Sequence, residues 1–167
     1  MNKMKLQKIY YDIIDSALGK CTIAVSERGL CSLRMMAESN YLKSEFPKTE
    51  LVKDSMKTKK YSKVIGDYLN GKDVNLELVC DLHGTKFQKQ VWQELQNIPA
   101  GQTCYYSELA KKIGKPKAFR AVATTCANNP VALVVPCHRV VPKSGGVGQY
   151  LYGSNLKKKL LELEKAC

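Results

Sequence analysis

The sequence has few histidines, no closely spaced cysteine pair and no long apolar run. Only His83 and His138 occur among 167 residues, and none of the 7 cysteines stands in a Cys-x-x-Cys arrangement, so a structural zinc site has little support. An odd number of cysteines excludes a fully paired disulfide framework and favours reduced thiols. No stretch approaches the roughly 18 apolar residues that span a bilayer, and no apolar segment follows the charged amino terminus. The sequence therefore predicts a cytoplasmic protein with no metal or other cofactor.

Acidic residues are scarce in the second half of the chain. The net charge is +12, from 27 Lys and Arg against 15 Asp and Glu. Residues 1–84 hold 14 basic and 11 acidic side chains, whereas residues 85–167 hold 13 and 4. A positive field concentrated in one half favours a polyanionic partner, nucleic acid first and an anionic membrane surface second. A lysine-rich surface that serves only solubility is the alternative at this point.

The first half has the pattern of a small α+β domain. Short β-branched and aromatic runs separated by turn residues predict strands, and apolar residues at helical spacing predict two helices between them. We therefore expect an N-terminal domain over residues 1–83, built on a small antiparallel sheet with helices. The predicted strands are Leu6–Ile14, Cys21–Val25, Leu30–Met35 and Val74–Val79, and the predicted helices are Glu38–Glu45 and Lys57–Leu69.

From Thr85 onward the pattern changes to helices, and no strand is predicted. Gly114 and Pro116 separate two of these helices, which gives the pair helix-turn-helix proportions. The second of the pair has four alanines and one arginine, Arg120, so it favours DNA binding by shape and backbone contact; an ordinary helical hairpin is the alternative. We expect a mostly helical C-terminal domain over residues 84–167. Its predicted helices are Thr85–Asn97, Tyr106–Ile113, Lys117–Asn128 and Leu156–Lys165.

The most distinctive local feature is the segment Val134–Pro142, where an apolar run leads into Pro136-Cys137-His138-Arg139. Proline restricts the residue before it to extended backbone, so Cys137 follows a rigid corner. A thiol is nucleophilic only as a thiolate. The imidazole of His138, directly or through a water, can take the proton, and Arg139 adds positive potential. We interpret the other six cysteines as inert small apolar residues.

With its neighbours, this segment closely resembles the methylated-DNA–protein-cysteine methyltransferases, the O(6)-alkylguanine-DNA alkyltransferases of direct-reversal repair. The matching motifs run in the family's order and nearly its spacing over residues 85–165, while the first half matches only loosely. The residues that carry the resemblance include Trp92, Ile98-Pro99, Tyr106, Arg120-Ala121-Val122, Asn129-Pro130, Pro136-Cys137-His138-Arg139-Val140, Gly148, Tyr150, Lys157 and Glu164.

The resemblance implies a chemical role for five residues. Cys137 would attack the alkyl carbon on guanine O6 and keep the alkyl group. His138 would deprotonate the thiol through a water, and Glu164 would hold His138 in the correct tautomer. Tyr106 would donate its hydroxyl to the guanine ring, and Asn129 would brace the hinge before the cysteine loop.

The resemblance also implies a DNA-binding surface and a base pocket. Arg120 would fill the space that the flipped nucleotide leaves in the duplex. Backbone groups at Cys137, Val140 and Leu151 would contact the edge of the base. The implied DNA-binding residues are Lys117, Arg120, Ala121, Thr124 and Tyr106, and the implied base-pocket residues are Val140, Leu151, Tyr150 and Cys126.

The function that the resemblance implies is irreversible, stoichiometric transfer of an alkyl group from O(6)-alkylguanine to Cys137, with O(4)-alkylthymine open as a second substrate. The expected partner is double-stranded DNA, bound by a monomer with no obligate protein partner and no membrane. Some family members hold zinc in the first domain, but Cys21, Cys31 and His83 lack a convincing fourth ligand, so no metal is expected here.

Two other function classes stay open. One is a DNA-binding module without chemistry, although relatives of that kind lack the cysteine that is present here as Cys137. The other is a cysteine hydrolase that uses Cys137, His138 and Glu164, for which the sequence indicates no ester or amide substrate. The mass of the protein after reaction separates them, because transfer leaves the alkyl group on the protein.

Overall fold

The computed structural model describes residues 7–165. The chain divides into two compact units, with the division between Leu82 and His83. Within the described residues, no helix has the length and apolar character needed to cross a membrane.

The first unit contains a four-stranded sheet in the order β3-β2-β1-β4. Strands β1 (Gln7–Ile14), β2 (Cys21–Ser26) and β3 (Gly29–Arg34) form an antiparallel meander, with tight turns at Gly19 and Gly29. Strand β4 (Thr49–Lys53) pairs parallel with β1. The α+β class is therefore confirmed, but the sheet is mixed rather than purely antiparallel.

Two helices accompany this sheet, α1 (Tyr41–Glu45) and α2 (Ser55–Leu69). Helix α2 begins two residues before its predicted start because the side chain of Asp54 accepts hydrogen bonds from the backbone N–H groups of Met56 and Lys57. Such a cap satisfies donors that the helix leaves unpaired. Helix α1 begins three residues later than predicted, and no side chain caps it.

The predicted strand Val74–Val79 is wrong, and β4 was not predicted. Residues 74–79 alternate between half-buried and exposed side chains, but they form no ladder. The segment pairs only at its end, through the backbone of Leu30 with Val79 and Asp81. This segment buries only one of its sides against the sheet edge. Its apolar and polar residues therefore alternate as they would in a strand. Leu6, at the start of the first predicted strand, lies outside the described residues.

The second unit is mostly helical, as predicted. Its helices are α3 (Lys86–Leu95), α4 (Tyr106–Lys112), α5 (Phe119–Ala127) and α6 (Ser154–Lys165). Thr85, where the predicted helix begins, caps α3 in a reciprocal box with Gln88. The buried Trp92 ties α3 to α5 through a hydrogen bond from its Nε1 to the carbonyl of Thr125, at 3.2 Å.

The turn between α4 and α5 shows why the predicted helix-turn-helix forms. Gly114 has a φ of +75°, which lets the chain reverse at the end of α4. The N–H groups of Gly114 and Lys115 donate to the carbonyls of Lys111 and Ala110, the Schellman arrangement that closes a helix.

Two short strands that sequence analysis did not predict occur in this unit. Strands β5 (Cys104–Tyr105) and β6 (Val140–Val141) pair parallel, with Cys104 opposite Val140. Two residues carry no recognisable periodicity, so no sequence pattern marks them. Their pairing places the start of α4 beside the chain that follows Cys137.

Gly148 offers a test of how tightly the loop before α6 is held. Its φ is +77°, and a Cβ there would lie 2.6 Å from Cδ of Pro142, whereas Gly153 has a φ of +97° with nothing within 4 Å. Alanine at either position costs roughly 1–2 kcal/mol in backbone conformation, but only Gly148→Ala also displaces Pro142. We expect Gly148→Ala to lower the free energy of unfolding by about 1 kcal/mol more than Gly153→Ala. Urea denaturation measures both, and equal losses would contradict the contact.

Candidate active site

Cys137 lies in a single 3₁₀ turn, Cys137–Arg139, that follows a fully buried segment of the chain. Within that segment Leu133 has a φ of +71°, the sole positive value at a non-glycine among residues 7–165. Such a conformation is costly for a leucine and persists only where packing imposes it. The thiol of Cys137 is 7% exposed, so the turn presents a sheltered sulfur in a position fixed by its surroundings.

Asn129 joins the end of α5 to this turn. Its Nδ2 donates to the carbonyl of Val135 at 2.6 Å and to Sγ of Cys137 at 3.2 Å, and its Oδ1 accepts from the N–H of Val131 at 2.9 Å. The three bonds hold the chain before Cys137 in shape, which agrees with the bracing role implied for Asn129. The bond to sulfur adds a direct interaction with the reacting atom.

His138 and Glu164 form a buried pair. His138 Nε2 lies 2.7 Å from Glu164 Oε1, and both side chains are almost completely buried. A carboxylate accepts, so Nε2 carries the hydrogen and Nδ1 is the basic nitrogen. Nδ1 is buried and has no hydrogen-bond partner among the described residues, which leaves it able to take a proton.

Arg139 is bound to Glu164, a partner that the sequence did not indicate for it. Its Nη2 and Nε donate to the carboxylate of Glu164 at 2.8 and 3.0 Å, and its Nη1 donates to the carbonyl of Ile98. A buried carboxylate requires such compensation. Arg139 therefore compensates the charge of Glu164.

Burial dominates the ionisation of both the thiol and the imidazole. It raises the pKa of Cys137 above the ordinary thiol value, against the opposing effects of the Asn129 hydrogen bond and the charge of Lys157. It lowers the pKa of His138, against the opposing hydrogen bond and charge of Glu164. The resting pair at neutral pH is therefore a neutral thiol beside a neutral imidazole, and a proton has to leave the thiol before it can react.

Lys157 is a buried cation whose charge acts on Cys137, and the sequence analysis assigned it no role. It is fully buried on α6, and its Nζ donates to the carbonyls of Val140 at 2.6 Å and Gln149 at 3.2 Å. Burial lowers its pKa, and the thiols of Cys137 and Cys126 act in the opposite direction. Lys157 thus joins the chain after Cys137 to the loop before α6 and places positive charge near the thiol.

A sequence pattern could have identified Lys157. It shares one face of α6 with three other buried residues, at the i, i+3, i+4 and i+7 spacing of a helix side that packs inward. The buried residues of α6 are Lys157, Leu160, Leu161 and Glu164.

A cavity of about 410 Å³ opens beside the thiol of Cys137. Its size is within the range of pockets that hold small planar ligands. Burial raises the pKa of Tyr106 to about 12, so its hydroxyl stays protonated and can donate a hydrogen bond into the cavity. The lining residues are Tyr106, Ala123, Cys126, Ala127, Cys137, Gln149, Tyr150 and Leu151.

The cavity therefore brings together most of the residues predicted for the base pocket. Cys126, Tyr150 and Leu151 line it, and Leu151 is 60% exposed at its rim. Val140 is completely buried and does not line it, and its carbonyl already accepts the hydrogen bond from Lys157.

Four of the five residues predicted to bind DNA lie on the surface around α5. Lys117, Arg120, Ala121 and Thr124 are all exposed, whereas Tyr106, the fifth, is half-buried on α4 and lines the cavity. The hydroxyl of Thr124 donates to the carbonyl of Arg120 at 3.1 Å, within the helix. This surface borders the cavity-lining side of the same helix, because Arg120 precedes Ala123 by three residues.

Among residues 7–165, no group of three or more His, Cys, Asp or Glu side chains lies close enough to hold a metal ion. The six cysteines in that range are free thiols. Burial raises the pKa of Cys21 and of Cys31 to about 12, so both side chains stay neutral in the first unit.

Family comparisons cover both units of the chain. Residues 9–82 match the model described as "6-O-methylguanine DNA methyltransferase, ribonuclease-like domain". Residues 86–166 match "6-O-methylguanine DNA methyltransferase, DNA binding domain".

Individual relatives agree with these matches. The chain is 41% identical over 160 residues to the bifunctional transcriptional activator/DNA repair enzyme Ada of Escherichia coli, covering 93% of this chain and 45% of that protein. It therefore spans about half the length of that relative. It is 38% identical to the methylated-DNA–protein-cysteine methyltransferase of Methanosarcina barkeri, covering 94% of this chain and 98% of that protein.

A solved structure, of Mycobacterium tuberculosis OGT in complex with DNA, superimposes with a TM-score of 0.83 at 38% identity, covering 94% of this chain and 93% of that one. With the family models matching both units and the methyltransferase of M. barkeri aligned along nearly its whole length, the chain belongs to the 6-O-methylguanine DNA methyltransferase family, whose members include the methylated-DNA–protein-cysteine methyltransferases.

Proposed function

We propose that this chain repairs DNA by direct reversal, moving an alkyl group from guanine O6 onto Cys137. The observation that carries the proposal is the thiol of Cys137 at the wall of a base-sized cavity, hydrogen-bonded by Asn129. The buried pair of His138 and Glu164, next in the chain, supports it. The names of the relatives, which include methylated-DNA–protein-cysteine methyltransferase, support the same reaction.

The reaction begins with loss of the thiol proton. Nδ1 of His138 takes that proton through a bridging water, and Glu164 stabilises the imidazolium through Nε2. The Cys137 thiolate attacks the alkyl carbon in line with the bond to O6. The sulfur–carbon bond forms as the carbon–oxygen bond breaks, and the guanine leaves with the electron pair and takes up one proton.

Tyr106 stabilises the leaving guanine. Tyr106 lines the cavity, and its hydroxyl stays protonated because its pKa is raised to about 12. A donor aimed at the ring lowers the energy of the negative charge that develops there as the carbon–oxygen bond breaks. Asn129 contributes at the other end of the reaction by donating to the sulfur while it carries charge.

The partner in this proposal is double-stranded DNA with an alkylated guanine. A base in the duplex stack cannot reach a thiol that is 7% exposed, so the nucleotide has to leave the stack and enter the cavity. Arg120 fills the space that it leaves, and Lys117, Ala121 and Thr124 face the backbone. The excess of 13 basic over 4 acidic residues in the second half supports this surface.

All groups of the proposed reaction lie in the second unit, which supports residues 84–167 as the DNA-binding and alkyl-transfer domain and residues 1–83 as a separate N-terminal domain. It also supports action as a monomer. A reactive free thiol needs reducing surroundings, which supports a cytoplasmic location.

Cys137 and Cys126 provide a matched test of the proposal, because both sulfurs line the same cavity. After incubation with an O(6)-methylguanine duplex, we expect wild type and Cys126→Ser to gain one methyl group by intact-protein mass spectrometry. Cys137→Ser should gain none, because a serine hydroxyl is far less ionised than a thiol. Peptide mapping should place the methyl group on Cys137. Methylation of Cys126 in the Cys137→Ser variant would contradict the assignment.

The charge of Lys157 should appear in the pH dependence of transfer. Lys157 lowers the pKa of Cys137, so Lys157→Met removes that effect and raises the thiol pKa. We expect the midpoint of the single-turnover rate against pH to move to higher pH. Lys157→Arg, which keeps the charge, and Lys158→Met, at an exposed neighbour on α6, should leave the midpoint in place. A lower rate with an unchanged midpoint would show that Lys157 acts only on the loop.

Transfer should stop after one event per protein molecule. The product is a thioether, which has no carbonyl for water to attack, and the mechanism contains no second nucleophile that removes the alkyl group. We expect methyl transfer, titrated against excess methylated duplex, to reach a plateau at one methyl group per chain. Continued turnover with fixed protein would indicate a hydrolase that uses Cys137, His138 and Glu164.

A further inference from the structure

Phe119 is an exposed aromatic residue at the first position of α5. Its side chain is 46% exposed. Within the described part of the second unit, the other large apolar side chains with similar exposure are Tyr105 and Leu151, and Leu151 belongs to the rim of the cavity. A single exposed apolar residue is common on protein surfaces, so exposure alone does not indicate a function for Phe119. Its position on α5 has to be considered as well.

The position of Phe119 continues the wall of the cavity. It precedes Ala123 by four residues and Ala127 by eight, and both alanines line the cavity. Residues four apart on a helix share one side of it. The ring therefore lies one helical turn beyond the cavity wall, at the end of α5 that carries Arg120.

The surroundings of the ring are cationic. The guanidinium of Arg120 lies 5.9 Å from the centre of the Phe119 ring, and Lys115 and Lys117 are exposed in the turn just before it. An apolar ring with cations beside it can contact both parts of a nucleic acid. Bases stack on aromatic rings, and phosphates pair with cations.

We infer that Phe119 contacts DNA as a second wedge beside Arg120. Its ring packs against the base that neighbours the nucleotide in the cavity, and so holds the base stack open while Arg120 fills the gap. Apolar side chains that enter base steps in this manner unstack the duplex locally. The inference rests on the proposed function, because it requires a flipped nucleotide in the cavity.

The test compares one variant on two substrates. Phe119→Ala should slow alkylation of Cys137 from an O(6)-methylguanine duplex by about fivefold or more, the lower end of what a lost base–aromatic stack costs. The same variant should react with free O(6)-methylguanine base at the wild-type rate, because the cavity is intact. Phe119→Trp, which preserves a stacking surface, should keep the duplex rate.

Three further measurements separate stacking from general damage. Met56→Ala removes a 74% exposed apolar side chain from the first unit and should leave both rates unchanged. A 2-aminopurine placed next to the lesion should become brighter when wild type binds, because it unstacks, and less so with Phe119→Ala. The thermal unfolding temperature of Phe119→Ala should match that of wild type, since an exposed side chain is removed.

The outcomes distinguish this inference from the proposed function. Wild-type protein that leaves Cys137 unmodified on both substrates would overturn the proposed function and this inference with it. Normal methylation of wild type, with Phe119→Ala equally fast on the duplex, would overturn the wedge alone. Equal losses on duplex and free base would also overturn it, because the defect would then lie in the cavity.

Discussion

The buried carboxylate of Glu164 is the interaction on which the turn that carries Cys137 depends. A charge that is almost completely removed from water is stable only if partners compensate it from several directions. Here His138 and Arg139, neighbours in one 3₁₀ turn, both hydrogen-bond to Glu164 on α6. The same carboxylate therefore anchors the turn to the last helix and selects the imidazole tautomer that leaves Nδ1 basic. Loss of either side chain would leave a buried charge with too few partners.

Helix α6 acts on the other side of Cys137 through Lys157. Two turns before Glu164, this buried ammonium binds the carbonyls of Val140 and Gln149. One helix face thus places an anion beside His138 and a cation near the thiol of Cys137. The arrangement explains how a thiol whose pKa is raised by burial can still react, because Lys157 and Asn129 both favour its ionised form. Burial keeps the thiol protonated, and therefore unreactive, until a base accepts its proton.

Features set by local chemistry were predictable from the sequence, and features set by long-range pairing were not. Thr85 and Gly114 predicted the start of α3 and the end of α4 to within a few residues, because a cap or a glycine turn acts over one helical turn. The parallel pairing of β4 with β1 joins residues about forty positions apart, and no local pattern encodes it. The same distinction holds in the site. The adjacency of Cys137 and His138 is visible in the sequence. The pairing of Arg139 with Glu164 spans 25 positions, and no local pattern marks it.

The composition of α5 fits two demands that the proposed function makes on neighbouring sides of one short helix. One side would have to leave room for a base, and alanines at positions 123 and 127 line the cavity where larger side chains would fill it. The next side would have to approach a duplex closely, and small exposed residues such as Ala121 and Thr124 permit that approach. The two sides meet at the first turn of the helix. Phe119 and Arg120 are the large residues there, one aromatic and one cationic, and that edge is where a nucleotide would cross from the stack into the cavity.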